Sequence, residues 1–173
     1  AVTTTLNSLY GSGVTVAGAG FLLNNEMDDF AASPGTANQF GLVQGEGNAI
    51  EPEKRMLSSM SPTVVLDADG RVKLVTGSPG GPTIISTVAQ MISNVVDFDM
   101  DIASATAAPR LHHQHVPDIL SYERDGLTTE VESALRRLGH NVEALGGYQG
   151  DTQSILVLPD GTRTGVADPR RGG

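Results

Sequence analysis

The sequence predicts an α+β fold, and three observations carry that reading. Short β-branched runs close into hairpins around Asp-Gly turns. Three stretches place apolar residues at helical spacing. A glycine-rich corner joins a strand to the longest of those helices.

Val2–Leu6 reads as a strand, and Asn7–Gly20 as a Gly/Ser-rich stretch. Phe21-Leu22-Leu23 is a short apolar strand running into the polar cluster Asn24–Phe30. Ala31–Glu53 is long and aperiodic, as functional loops in compact domains often are, and a lid over a cleft is one use for it. Asp67-Ala68-Asp69-Gly70 lies between two apolar runs, which predicts a hairpin of Thr63–Leu66 with Val72–Thr76. Gly77-Ser78-Pro79-Gly80-Gly81 cannot extend that strand, and Pro82 suits the first position of a helix. Ile84, Ile85, Val88, Ile92, Val95 and Val96 then recur at helical spacing, β-branched on most faces, which predicts a buried helix. Ile102–Ala108 is a second helix, stopped by Pro109. Leu111–Val116 and Ile119–Glu123 read as extended. Leu127–Leu138 is amphipathic, with Thr129 and Glu132 spaced as a capping box and Gly139 at its end. Val142–Leu145 is a strand, and Ser154–Leu158 with Thr162–Ala167 form a last antiparallel hairpin around Pro159-Asp160-Gly161. The tail, residues 168–173, is polar and expected to fray.

The 173 residues suit a single domain piece, and 39% hydrophobic residues suffice for a core. Eleven Lys and Arg face 20 Asp and Glu, a net charge of −9 without any basic run, which argues against nucleic acid or an anionic membrane as partner. Aromatics at 4% leave no base-stacking platform. Without cysteine there is no disulfide, thiolate zinc site or cysteine nucleophile. No apolar run reaches membrane-span length. The chain opens directly in a β-branched run, so its true beginning is expected upstream of Ala1.

Four clusters could carry chemistry. The glycine corner aims free N–H groups and a helix dipole at one point, where a negative oxygen would be stabilised; the same glycines would equally serve a tight turn. Glu26, Asp28 and Asp29 at a strand end could grip a metal or an ammonium group, or form a solvated turn; no calcium-loop pattern is present. Ser58 and Ser59 lack a nucleophile-elbow context and are better placed to donate hydrogen bonds to a carboxylate, or they serve simple turn chemistry before a strand. His113 and His115 would share a face of a strand, yet no third ligand is apparent, so His112, His113 and His115 are read as structural and no metal is expected. No nucleophile stands in a recognisable relation to a general base.

Taken together, Thr5-Leu6-Asn7, LLNNEMDDF (Leu22–Phe30), LSSMSPT (Leu57–Thr63), LVTGSPGG (Leu74–Gly81), APRLHHQ (Ala108–Gln114), TQSI (Thr152–Ile155) and ADPR (Ala167–Arg170) resemble the small subunit of bacterial γ-glutamyltransferases, also called γ-glutamyltranspeptidases or glutathione hydrolases. The motifs occur in family order over nearly the whole chain. The resemblance implies an N-terminal-nucleophile hydrolase fold, a four-layer αββα sandwich. It implies a precursor that cuts itself into large and small subunits, whose new N-terminal threonine takes a γ-glutamyl group from glutathione or a related amide. Water, an amino acid or a peptide then receives that group. By the same resemblance Gly80 and Gly81 form the oxyanion hole, and Asp29, assisted by Glu26, holds the donor's α-ammonium. Asn7, Ser58 and Ser59 hold the donor's α-carboxylate and α-amino ends, and Thr5 bonds to the nucleophile. No cofactor is implied, and the location would be periplasmic or secreted.

Three departures stand out. The nucleophile is absent and should precede Ala1. Phe40 stands where many bacterial members have a tyrosine that latches a lid loop to Asn7. The large subunit, which supplies an arginine for the donor carboxylate, is a separate chain. A glutaryl-cephalosporin type acylase and a catalytically silent binding homologue are the alternatives. Asp29 favours γ-glutamyl donors over the first, because an acyl group without an ammonium has no use for that carboxylate.

Overall fold

A computed structural model of the chain describes residues 2–172, and Ala1 and Gly173 lie outside the described residues. Two compact units emerge, Val2–Ser59 and a second that begins at Met60.

The second unit is α+β, as expected. Strands β1 (Thr63–Leu66), β2 (Val72–Gly77), β6 (Gln153–Val157) and β7 (Arg163–Val166) form an antiparallel sheet in the order β1-β2-β6-β7. Both hairpins lie where their Asp-Gly turns place them. The Asp67 carboxylate accepts the N–H groups of Asp69 and Arg71, and Gly70 and Gly161 take φ of 79° and 86°, which side chains disfavour.

Helices α1 (Thr83–Val96) and α2 (Ile102–Ala107) cover one face of this sheet. Leu74, Met91, Val95, Ile102 and Ala105 form the buried cluster, with Val65, Ile92 and Leu156 packed against it. Pro82 stands just before α1 with helical dihedrals. Helix α1 is buried along one stripe, although its β-branched residues lie on most faces. Ile84, Thr87, Val88, Met91 and Val95 recur at steps of three and four and are buried, whereas Ile85 is 59% exposed. One sheet buries only one stripe of a helix. Asp101 caps α2 by accepting the N–H groups of Ala103 and Ser104.

A smaller sheet joins β3 (Leu111–His112), β4 (Leu120–Tyr122) and β5 (Val142–Ala144). Here β4 and β5 run parallel, against the expectation of antiparallel hairpins alone. Helix α3 (Thr129–Arg137) lies between them, and a helix between neighbouring strands supplies the crossover that parallel pairing requires. Its cap is Thr128, whose hydroxyl accepts the Val131 N–H, not Thr129; Glu132 instead accepts from Arg136 and the Tyr122 hydroxyl. Gly139, at φ 98°, ends the helix as expected. Strand β3 stops at His112 and His115 takes φ 70°, so the shared face of His113 and His115 does not form. His112 instead lies 2.8 Å from the Ser86 hydroxyl and 3.0 Å from Gln114 Oε1, while His113 pairs with Asp118.

The tail is also corrected over its described residues. Asp168 is fully buried, and Pro169–Arg171 forms a 3-10 turn. Arg170 grips both Glu123 oxygens through Nε (2.8 Å) and Nη2 (2.7 Å), and also donates to the Thr106 and Ala108 carbonyls. Arg110 meets Asp168 at 2.6 Å and donates to the Gln149 carbonyl at 2.8 Å. Burial would raise both carboxyls. The guanidinium hydrogen bonds, with the N–H groups of Thr152 and Arg170 on Asp168 and those of Gln149 and Arg110 on Glu123, outweigh it and hold both below the usual range. A polar tail is thus held by two buried cations matched to two buried anions.

The unit Val2–Ser59 contains two 3-10 turns, Glu26–Asp29 and Glu46–Asn48, and no extended ladder among the described residues. The strand expected at Val2–Leu6 is not formed, and Val2 is 90% exposed. Phe21–Leu23 folds back on Ser12–Val16 through one bridge, Thr15 with Leu22. β-Branched composition favours a strand only where a partner strand is available.

Candidate functional site

The sequence-identified residues divide between the two units. Thr5, Asn7, Glu26, Asp29, Phe40, Ser58 and Ser59 belong to the first, and Gly80 and Gly81 to the second.

In the first unit, Asn25 joins two of the singled-out segments. Its Oδ1 accepts the Ser8 N–H at 2.9 Å, its Nδ2 donates to Asp28 at 2.8 Å, its N–H donates to the Leu6 carbonyl, and its own carbonyl accepts from Asn7 Nδ2. Asn7 sits at φ 69°, tolerable for asparagine, and its N–H donates to Thr5 Oγ1 at 2.8 Å.

Glu26 and Asp29 lie at either end of one 3-10 turn, which brings their carboxyl groups together. Burial, then the hydrogen bond with Asp29 and its charge, push the Glu26 carboxyl up to about 7. Glu26 Oε1 is buried without a partner among the described residues. Such a pair holds a proton near neutral pH and would release it to an incoming cation. No group of three or more His, Asp or Glu suited to a metal occurs among the described residues.

Asn48 is the second joint. Its Nδ2 donates to the Asp29 carbonyl at 2.7 Å and to Gln44 Oε1. Its carbonyl accepts the Ala31 N–H, and its Oδ1 accepts the N–H of Leu57, next to Ser58 and Ser59. Residues 31–53 are therefore tied down at their base. At the tip, Asn38 Oδ1 accepts the N–H groups of Phe40 and Leu42, Phe40 is half-buried, and Ser8 Oγ donates to Gln39 Oε1 at 3.4 Å. Ser58 is exposed and Ser59 half-buried. The sequence reading missed the joining roles of Asn25 and Asn48. Asn25 lies inside the quoted NNEMDDF stretch, but nothing local marks Asn48 among the other loop asparagines.

In the second unit, β2 ends at Gly77 and α1 begins at Thr83, with Gly80 at φ 147° and Gly81 at φ 56° between them. Neither glycine's N–H has a backbone acceptor among the described residues. A Cβ on Gly80 would lie 2.6 Å from Thr83 Oγ1. The corner thus presents two N–H groups without a backbone acceptor among the described residues, at the N-terminus of a 14-residue helix, where negative charge is favoured.

Over residues 1–173 the chain matches the family described as Gamma-glutamyltranspeptidase. It is 52% identical over 170 residues to the glutathione hydrolase proenzyme of Escherichia coli (strain K12), covering 98% of this chain and 29% of that protein. To the glutathione hydrolase proenzyme of Pseudomonas aeruginosa it is 49% identical over 170 residues, covering 97% of this chain and 30% of that protein. A mutant Helicobacter pylori gamma-glutamyltranspeptidase of solved structure superposes with a TM-score of 0.92 at 50% identity, over 98% of this chain and 92% of that one. The chain thus spans about three-tenths of the length of the curated relatives it matches.

Proposed function

Because the chain belongs to the gamma-glutamyltranspeptidase family, we propose that it is the small subunit of an enzyme that moves the γ-glutamyl group of glutathione and related amides to water, an amino acid or a peptide. The observation that carries this reading is the Glu26–Asp29 pair, with a buried carboxyl oxygen left unpartnered among the described residues. A γ-glutamyl donor brings an α-ammonium, the group that pair would hold by charge-assisted hydrogen bonds. Asn7, Ser58 and Ser59 hold the donor's α-carboxylate and α-amino ends. The nucleophile is a threonine preceding Ala1. Thr5, whose Oγ1 accepts the Asn7 N–H, bonds to it through its hydroxyl. Gly80 and Gly81 N–H take the negative oxygen of the tetrahedral intermediate, and the product of that step is a γ-glutamyl ester of the threonine. Residues 31–53 act as a lid with Phe40 near its tip. The large subunit of the same precursor is the partner. Supporting that, Val64 and Ile155 flank Val75 on the sheet face opposite α1 and are 54% and 46% exposed. No helix is long and apolar enough to cross a membrane among the described residues, and periplasmic or secreted placement is part of the proposal.

Asp29→Ala in the full-length enzyme is expected to cost about 2–4 kcal/mol of substrate interaction, roughly 30- to 1,000-fold in kcat/KM for γ-glutamyl-p-nitroanilide. Turnover of glutaryl-p-nitroanilide, which lacks the ammonium, should hardly change. A wild-type preference for the glutaryl compound would establish the acylase alternative, and no turnover of either would establish the silent one.

The raised Glu26 value sets a second expectation. As pH rises through about 7, Glu26 ionises and adds negative charge beside Asp29. The donor KM should therefore fall across that interval. Glu26→Gln should flatten this step, and a KM profile identical to wild type would remove Glu26 from the anchor.

A further inference from the structure

Two side-chain hydroxyls to which no role has been given above, those of Ser78 and Thr83, hold the two peptide planes whose N–H groups the glycine corner presents. A peptide unit is planar and trans, so fixing its carbonyl oxygen fixes the opposite direction of its N–H. The Gly80 N–H shares a plane with the Pro79 carbonyl, and the Ser78 hydroxyl donates to that carbonyl at 2.7 Å. The Gly81 N–H shares a plane with the Gly80 carbonyl, which accepts the Thr83 hydroxyl at 2.9 Å and the Thr83 N–H at 3.2 Å. Each donor direction is thus held by one hydroxyl acting on the carbonyl behind it.

The corner needs such restraint. Gly80 and Gly81 both take positive φ, and glycine is the residue with the widest backbone freedom. Ser78 is itself anchored, because its Oγ accepts the Asp151 N–H at 2.9 Å. Gly150, at φ 72°, lies so close behind that a Cβ there would stand 2.8 Å from Ser78 Oγ and 2.9 Å from Thr87 Cγ2. The adjoining Gln149 backbone is gripped on both sides, its N–H by Glu123 at 2.8 Å and its carbonyl by Arg110 at 2.8 Å. The APR and ADPR motifs, which had no place in the chemistry, thereby brace the segment before β6 that anchors Ser78.

We propose that Ser78 and Thr83 are positioning residues, whose hydroxyls orient the Gly80 and Gly81 N–H groups toward the developing oxyanion. This rests on the oxyanion role proposed above for the corner. Neither side chain is assigned a contact with substrate.

The test uses the full-length enzyme, with kcat normalised to titrated active sites and folding followed by thermal melting. Ser78→Ala and Thr83→Ala should each lower kcat about tenfold, less than the 10²–10³ lost when an oxyanion donor is removed outright. The donor KM should stay the same, because the ground state does not use the oxyanion contact. Ser78→Thr and Thr83→Ser, which restore the hydroxyl, should recover most of kcat. Unchanged kcat in both alanine variants, or hydroxyl-restoring variants as slow as the alanine ones, would overturn the proposal. Gly81→Pro, measured alongside, separates the two levels. If it slows the enzyme while the alanine variants do not, the corner keeps its role and only the hydroxyls lose theirs. If it too leaves kcat intact, the oxyanion reading of the corner falls first.

Discussion

Gly81→Pro in the full-length protein is expected, on the oxyanion role proposed for the corner, to lower kcat by about 10²–10³, the usual loss when one oxyanion donor is removed. Proline has no N–H to offer, and its ring holds φ near −65°, whereas Gly81 sits at 56°. The substitution therefore removes the donor and also turns the corner. Gly81→Ala separates these effects. It keeps the N–H but places a side chain at positive φ, a strain of about 1–2 kcal/mol. A much smaller kcat loss in the alanine variant would assign the effect to the donor. Equal losses would assign it to backbone conformation. Both variants should melt as cooperatively as wild type, since neither glycine belongs to the buried cluster of Leu74, Met91, Val95, Ile102 and Ala105.

Asp168→Asn should destabilise the folded protein by about 3–5 kcal/mol, the range for breaking a buried ion pair by removing one partner. Asparagine keeps the shape but withdraws a charge that meets Arg110 at 2.6 Å and Arg170 at 3.2 Å, leaving Glu123 as the one anion for two buried guanidiniums. Denaturant unfolding measures the loss. The pH dependence gives an independent check. The folded-state value of Asp168 is depressed, so its contribution is present above the ordinary aspartate value of about 3.9 and is lost as pH falls from there toward the folded value. Glu123 is depressed in the same sense. The asparagine variant should lose the Asp168 share of this acid sensitivity. An unfolding midpoint equal to wild type at neutral pH would mean the network adds no net stability.

The parts legible in the sequence were those set by short-range chemistry. Asp67-Ala68-Asp69-Gly70 and Pro159-Asp160-Gly161 marked their hairpins because the turn residues bond to backbone within four positions. The place of α1 after Pro82, the end of α3 at Gly139 and the glycine corner were readable because they too are set within a few residues. The spacing of Glu26 and Asp29 was visible too, although the upward shift of Glu26 depends on burial, which residue types alone do not state.

The family resemblance rested on motifs, and motifs do not say what each residue touches. APR, TQSI and ADPR were recognised as matches, but only the folded chain shows Arg110, Thr152 and Asp168 closing one buried network across 58 residues. The tail looked frayed because its residues are polar, and composition cannot distinguish a polar residue in water from one whose charge is met inside. Similarly, Asn25 and Asn48 read as ordinary loop asparagines until their partners are known.

By itself, then, the sequence determined the α+β class, the positions of hairpins and helices, and the residues to examine. All of these follow from forces acting over a few bonds or one helical turn. The tertiary structure alone decided the parallel pairing of β4 with β5, the burial of Asp168 and Arg170, and the bracing of the glycine corner by Gly150 and Asp151. Those depend on which distant segments exclude water from one another, and that is a property of the packed chain rather than of any stretch of it.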